Sequence, residues 1–182
     1  MKTSRRQVSE NRRAILEAAG RLFRARGFES VSVAEIMKEA GLTHGGFYGY
    51  FASKEDLIAA ALADALAKTP EPSGGLAAYA AGYLSRAHRD DLAGGCATAA
   101  LAAESVRQPA GARAALTAAL KQQIEAFAHL APGADDAERR RAAVGFWAAM
   151  VGAMILARVS DDETLSGEIL DETWAWLADR SQ

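Results

Sequence analysis

Few side chains in this sequence are placed to do covalent chemistry. Cys96, the one cysteine, follows Gly94-Gly95 where a helical pattern begins. A helix start favours the reactive thiolate through its dipole and its unpaired N–H groups. A small buried residue is the commoner use of a lone cysteine, and the chain holds no second thiol to resolve an oxidised one. His44, His88 and His129 stand far apart in sequence. No histidine pair at i, i+4, no glycine-rich phosphate loop and no nucleophile motif is present, so neither an enzyme nor a cofactor is signalled.

Polar groups and glycines are instead concentrated between Thr43 and Lys54, and two short helical patterns position them. Val33 to Ala40 and His44 to Tyr50 are separated only by Gly41-Leu42-Thr43, with Ile36, Ala40, Leu42, Phe47 and Phe51 as a shared apolar core. This is a helix-turn-helix pattern. Gly41 supplies the tolerance of positive φ that the turn needs, and His44, Gly45 and Gly46 form the leading edge of the second helix, the end that meets a major groove. Three glycines in so short a helix cost about 1 kcal/mol each relative to alanine, which calls for a compensating use such as close approach to DNA. Phe47 and Phe51 alternate with Tyr48 and Tyr50, so the phenylalanines read as core and the tyrosines as exposed.

The flanking elements complete an N-terminal domain. Ile15, Ala19, Leu22 and Phe23 share one face of a helix from about Ser9 to Arg26, which Gly27 ends. Ser32 with Glu35 makes a capping-box pattern, and Ser53 with Asp56 opens a further helix carrying Leu57, Ile58, Ala61, Leu62, Ala65 and Leu66. Pro70, Pro72 and Ser73-Gly74-Gly75 interrupt the pattern, which places a domain boundary near Thr69, with residues 1–68 before it and 69–182 after it. Beyond it, helices are expected at about Leu76 to His88, Gly95 to Arg107, Ala110 to Leu130, Asp136 to Val159 and Glu163 to Asp179.

Composition narrows the partners. Half of the residues are hydrophobic and only four are proline, which points to an all-α fold with a substantial core. The net charge is −2, yet residues 1–28 hold eight basic side chains, Lys2, Arg5 and Arg6 among them, against Glu10 and Glu17. Residues 61–182 hold 11 basic against 16 acidic side chains, so contact with a polyanion belongs to the N-terminal third. Arg5 and Arg6 are expected in a flexible arm before the first helix. The apolar stretch from Ala142 to Ala157 is interrupted by Gly145 and Gly152 and is shorter than the roughly 20 residues of a membrane span, so no membrane partner is expected. The N-terminus lacks a signal-peptide core, and the expected location is cytoplasmic.

The stretch FESVSVAEIMKEAGLTHGGFYGYFASKEDL, Phe28 to Leu57, resembles the DNA-binding signature of the tetracycline-repressor (TetR/AcrR) family. The likeness covers about the first third of the chain. It implies a three-helix DNA-binding domain joined through a helix to a larger helical domain for effector binding and dimerisation. By the same resemblance Ser32, Thr43, Gly46, Tyr48, Tyr50 and Lys54 lie on the phosphate backbone, with His44 and Gly45 facing base edges. Hydroxyls, a backbone N–H and an ammonium can hold register on phosphates, whereas base edges carry the sequence readout. The chain departs from the common pattern at Met37, Gly46 and Tyr50, which leaves fewer side chains able to donate to phosphate.

The resemblance further implies a homodimeric repressor, released from double-stranded operator DNA by a small-molecule effector. Phe146, Met150, Ala153 and Ala157, which repeat at helical spacing, are expected at the dimer interface with Trp174 and Leu177 on the last helix. An apolar effector pocket is expected among Tyr79, Tyr83, Leu101, Leu116, Leu120, Ile124, Phe127 and Trp147. The segment Gly95 to Glu104 resembles the cysteine-bearing helix of family regulators that respond to electrophiles or oxidants, which makes Cys96 a sensor candidate. The rival readings are an all-helical enzyme and an interaction module without specific DNA binding.

Overall fold

The computed structural model describes residues 4–70, 72 and 74–180, so that Lys2 and Ser73 lie outside the described residues. Every regular element among the described residues is helical, as expected. The chain divides into two compact units: Met1–Thr69 with Cys96–Thr117, and Pro70–Gly95 with Ala118–Gln182. The first unit is thus not one continuous segment ending near 69, because residues 96–117 pack into it as well.

In the first unit, α1 (Arg5–Arg26) is capped by the Ser4 hydroxyl, which accepts from the Gln7 amide at 3.2 Å. It therefore starts earlier than the apolar periodicity indicates, and Arg5 and Arg6 stand in its first turn instead of in an arm. Arg6 pairs with Glu10 at 2.8 Å. The helix stops at Gly27, whose φ of 79° is a conformation costly for other residues. α2 (Val33–Glu39) opens with the complete capping box of Ser32 and Glu35, and Gly41 turns the chain at φ 71°. His44–Gly49 then forms the expected short helix, as a 3-10 helix. Three glycines in six residues contribute little propensity toward α-helix, which leaves the segment in the shorter-range bonding of its turn.

α3 (Lys54–Ala67) starts from Ser53, which accepts from the Asp56 amide at 3.1 Å. Ile15, Phe23, Phe28, Ile36, Met37, Phe47, Leu57 and Leu62 are fully buried around these helices, with Phe23 and Phe28 edge to face at 5.2 Å. α6 (Ala97–Ser105) packs on α1 and α3. Its Glu104 carboxylate accepts from the Phe28 amide at 2.8 Å and occupies the space that a Cβ at Gly27 would need.

In the second unit the expected helix from 76 to 88 is broken in two, α4 (Leu76–Tyr83) and α5 (Arg86–Asp90). Ser85 makes the break: its hydroxyl accepts from the His88 amide at 3.2 Å, starting a new helix, and donates to the Gly82 carbonyl at 2.9 Å, closing the old one. α7 (Ala110–Ala128) gives residues to both units. α8 (Asp136–Val159) and α9 (Glu163–Ala178) pack against one another. α8 is 24 residues long, with an 18-residue window of mean hydropathy 1.8, long and apolar enough to cross a membrane by those measures alone. It also provides the buried face of this unit through Phe146, Trp147, Met150 and Met154, the pattern of a core helix.

Candidate nucleic-acid interface

Phe47 and Phe51 stack at 6.0 Å in the core of the first unit and anchor the 3-10 segment from below. Thr43 is its N-cap residue but makes no side-chain capping bond, so its exposed hydroxyl is not consumed by the helix start. His44 and Gly45 follow, both exposed. Tyr48 is 75% exposed and rests its ring edge-on against Phe47 at 5.2 Å. The alternation of core phenylalanine and outward tyrosine is therefore present at Phe47 and Tyr48.

Tyr50 differs from Tyr48. It is half-buried, and its phenolic oxygen accepts from Asn11 Nδ2 at 2.7 Å, which ties the end of the recognition segment to α1. Asn11 escaped the sequence reading because nothing in a run of polar helix residues marks one of them as a partner 39 positions away. The Tyr50 hydroxyl keeps its own hydrogen for donation. Ser32 is exposed, yet its hydroxyl accepts from the Glu35 amide at 3.2 Å and donates to Glu35 Oε2 at 2.8 Å. Lys54, half-exposed, is the first residue of α3.

The free protein shows no internal need for two of the glycines. A Cβ at Gly45 or at Gly49 would meet nothing within 4 Å, and neither residue has positive φ. At Gly46 a Cβ would make only ordinary contact with Thr43 and Met37, at 3.7 and 3.9 Å. Around this edge, Arg12 lies over the Phe51 ring at 4.8 Å, and Arg26 bonds Glu35 Oε1 at 2.9 Å. The Ser32 backbone N–H, then the Ser32 hydroxyl, then Arg26 stabilise the Glu35 carboxylate, and its pKa is lowered to about 2.

In the second unit, four of the expected pocket residues come together. Tyr79 and Tyr83 stack at 6.2 Å, Phe127 sits edge-on to Tyr79 at 5.1 Å, and Trp147 lies 5.6 Å from both Tyr83 and Phe127. Leu120 and Ile124 are half-buried on α7. Leu101 is buried in the first unit, and Leu116 and Cys96 also belong there. Cys96 is the half-buried N-cap of α6, its sulfur accepting from the Ala99 amide at 3.5 Å.

The expected interface residues need correction. Phe146, Met150, Ala157 and Leu177 are buried within the chain itself, in the core of the second unit, while Ala153, also largely buried, lines the groove between α8 and α9. Trp174 alone of that set is exposed. The outward apolar surface carries Val144, Ile155, Leu156 and Val159 of α8 with Leu165 and Trp176 of α9. Ala148, Gly152, Leu156, Ile169 and Trp176 line a groove of about 510 Å³ between these helices. Because α8 is apolar on several faces, helical spacing picked a valid stripe without showing which stripe the chain covers by itself.

Among the described residues no three His, Cys, Asp or Glu side chains are grouped to hold a metal. Residues 15–61 match the family model described as bacterial regulatory proteins, tetR family, and residues 74–172 match that of the tetracyclin repressor-like C-terminal domain. The HTH-type transcriptional regulator YdgC of Bacillus subtilis is 46% identical over 55 residues, 30% of this chain and 28% of that protein. The HTH-type transcriptional regulator AcrR of Shigella flexneri is 42% identical over 55 residues, 30% of this chain and 26% of that protein. The matched stretch thus spans little more than a quarter of these curated relatives. A TetR transcriptional regulator from Chloroflexus aurantiacus superimposes with TM-score 0.76 at 27% identity, over 96% of this chain and 95% of that one. Escherichia coli NemR in its reduced form shares the fold with TM-score 0.75 at 23% identity, over 93% of this chain and 96% of that one.

Proposed function

The chain belongs to the TetR family of bacterial regulatory proteins, and from that premise we propose that it is a cytoplasmic, homodimeric transcriptional repressor that releases operator DNA when an effector binds. The observation that carries this reading is the build of the 3-10 segment, in which Phe47 is fixed in the core while Thr43, His44, Gly45 and Tyr48 face outward. Base-edge readout falls to His44, with Gly45 allowing the backbone close to the bases. Thr43, Tyr48, Tyr50 and Lys54 hold register on phosphates, and Gly46, whose N–H donates to the Thr43 carbonyl at 3.0 Å, takes part by letting the phosphate backbone come close. Ser32 contributes when its hydroxyl hydrogen, donated to Glu35 Oε2 in the free protein, turns to a phosphate oxygen. The outward apolar face of α8 and α9, Trp174 included, is the proposed dimer surface, and it sets two recognition segments about one turn of DNA or more apart.

Effector control is a shift between arrangements that match the operator and arrangements that do not. The effector site is the aromatic cluster of Tyr79, Tyr83, Phe127 and Trp147, with Leu120 beside it. A second route, modification of Cys96, is favoured by its place at the start of α6, the helix whose Glu104 holds the Phe28 amide. Its probe is N-ethylmaleimide, whose double bond takes the sulfur on one carbon and a proton on the other. Operator release that persists in Cys96→Ser rules that route out.

The deciding experiment selects binding sites from random duplex DNA and measures the recovered site against salt and with His44→Ala. A palindrome-like site bound by a dimer, with steep loss of affinity as salt rises and weakened discrimination in the variant, is the expected result. No enrichment and no salt-dependent binding would leave an all-helical enzyme or interaction module instead.

A further inference from the structure

Two side-chain N–H groups buried in the second unit, Nε1 of Trp147 and Nε2 of Gln123, have no hydrogen-bond partner among the described residues. Trp147 is only 5% exposed. Buried polar groups are nearly always paired, because a donor removed from water without a replacement destabilises the fold, and each exception asks for an explanation. The two are related through Phe127. Gln123 lies one helical turn before Phe127 on α7, on the same helix face, and Phe127 is 5.6 Å from Trp147. Tyr79 and Tyr83 complete a wall of aromatic surface.

We propose that the effector of this protein is an uncharged, flat aromatic compound bearing a carbonyl-type oxygen, which accepts hydrogen bonds from Trp147 Nε1 and Gln123 Nε2. The inference rests on the effector-controlled repressor reading above and assigns the chemistry of its ligand. An indole N–H can only donate, and the Gln123 amide nitrogen likewise, so the missing partner is an acceptor. One sp² oxygen has lone pairs for both donors. The aromatic wall favours a planar π-system, whose edges and faces pack against rings in offset or T-shaped geometry.

The ligand carries no negative charge, because the donors that meet it are neutral and a buried carboxylate requires a cation. Arg158, His88 and Arg89, on α8 and α5, are already committed to protein partners. Arg158 donates to the carbonyls of Arg89 and His88 at 3.0 and 2.9 Å, and His88 Nδ1 lies 2.6 Å from the Tyr83 carbonyl. Arg89 is occupied by Asp90, Glu163 and the Ser166 hydroxyl.

The test titrates the full chain calorimetrically with 1-indanone and with indane, its counterpart lacking the carbonyl. Trp147→Phe keeps a ring and removes the N–H, and Gln123→Leu removes the amide. Wild type is expected to bind 1-indanone about tenfold or more tightly than indane, and each variant is expected to lose that ratio of affinities. Thermal melts and operator binding of both variants confirm that they fold. Equal affinity for the two probes, undiminished preference for 1-indanone in Trp147→Phe, or no binding of 1-indanone overturns the proposal. Operator binding by the wild-type protein in those same cases leaves the repressor reading standing. Conversely, carbonyl-selective binding in a protein that binds no DNA sinks that reading and keeps the ligand assignment.

Discussion

Alanine at Gly45 and Gly49 should make the protein more stable and a poorer DNA binder at once. Both glycines have negative φ and open space where a Cβ would stand, so alanine is compatible with the free protein's conformation. Removing glycine's extra freedom in the unfolded chain, and adding helix propensity, stabilises by about 0.4–1 kcal/mol at each position. The positions are exposed and share no partner, so the double variant gains about 1–2 kcal/mol. For a chain of this size that raises Tm by about 2–8 °C. In the complex the same methyl groups would stand between backbone and DNA. A loss of about 0.7 kcal/mol per recognition segment, doubled by the two-fold symmetry of a dimer, lowers operator affinity about tenfold. Differential scanning calorimetry and fluorescence anisotropy with a labelled operator measure the two effects on one preparation. A double variant that melts higher yet binds the operator as wild type does would show that DNA never approaches these positions. One that melts lower would refute the claim that the free protein has no use for the glycines.

Three further outcomes follow from the same geometry. Glu35, with its pKa lowered from 4.5 to about 2, contributes stability that is complete above pH 4.5 and is lost as the pH falls toward 2; NMR titration of its carboxyl reads the midpoint, and Glu35→Gln should flatten this part of the acid-unfolding profile. Glu104→Ala leaves the Phe28 amide without its acceptor and should cost about 1–3 kcal/mol in urea unfolding, whereas Glu104→Gln, which keeps an acceptor oxygen, should recover part of the loss. Trp176→Asp should shift sedimentation from dimer to monomer with the fold retained, while Phe146→Ala should destabilise by about 3–5 kcal/mol and leave the association of the folded protein intact; a dimer undisturbed by Trp176→Asp would place the interface elsewhere.

Local signals carried much of the first unit. Gly27 ends α1, Ser32 and Glu35 open α2, Gly41 turns the chain, and Ser53 opens α3, each through chemistry confined to a few neighbouring residues. The inward placement of Phe47 and Phe51 was equally legible, because apolar rings alternating with tyrosines admit few arrangements beside a buried Ile36. Where competing local effects were close in size, the outcome was not legible. The 3-10 form of His44–Gly49 and the break at Ser85 depend on small differences between hydrogen-bond patterns that propensity does not resolve.

The sequence by itself determined an all-helical chain with a basic, glycine-edged helix-turn-helix near its start, since caps, turns and amphipathic faces are short-range properties. Only the tertiary structure decided that Asn11 holds Tyr50, that Glu104 sits at the Gly27–Phe28 corner, and that Phe146 and Met150 belong to the chain's own core. These pairings link residues far apart in sequence. Periodicity marks an apolar face but not the surface that covers it, and a lone asparagine or glutamate carries no mark of the partner that folding brings to it.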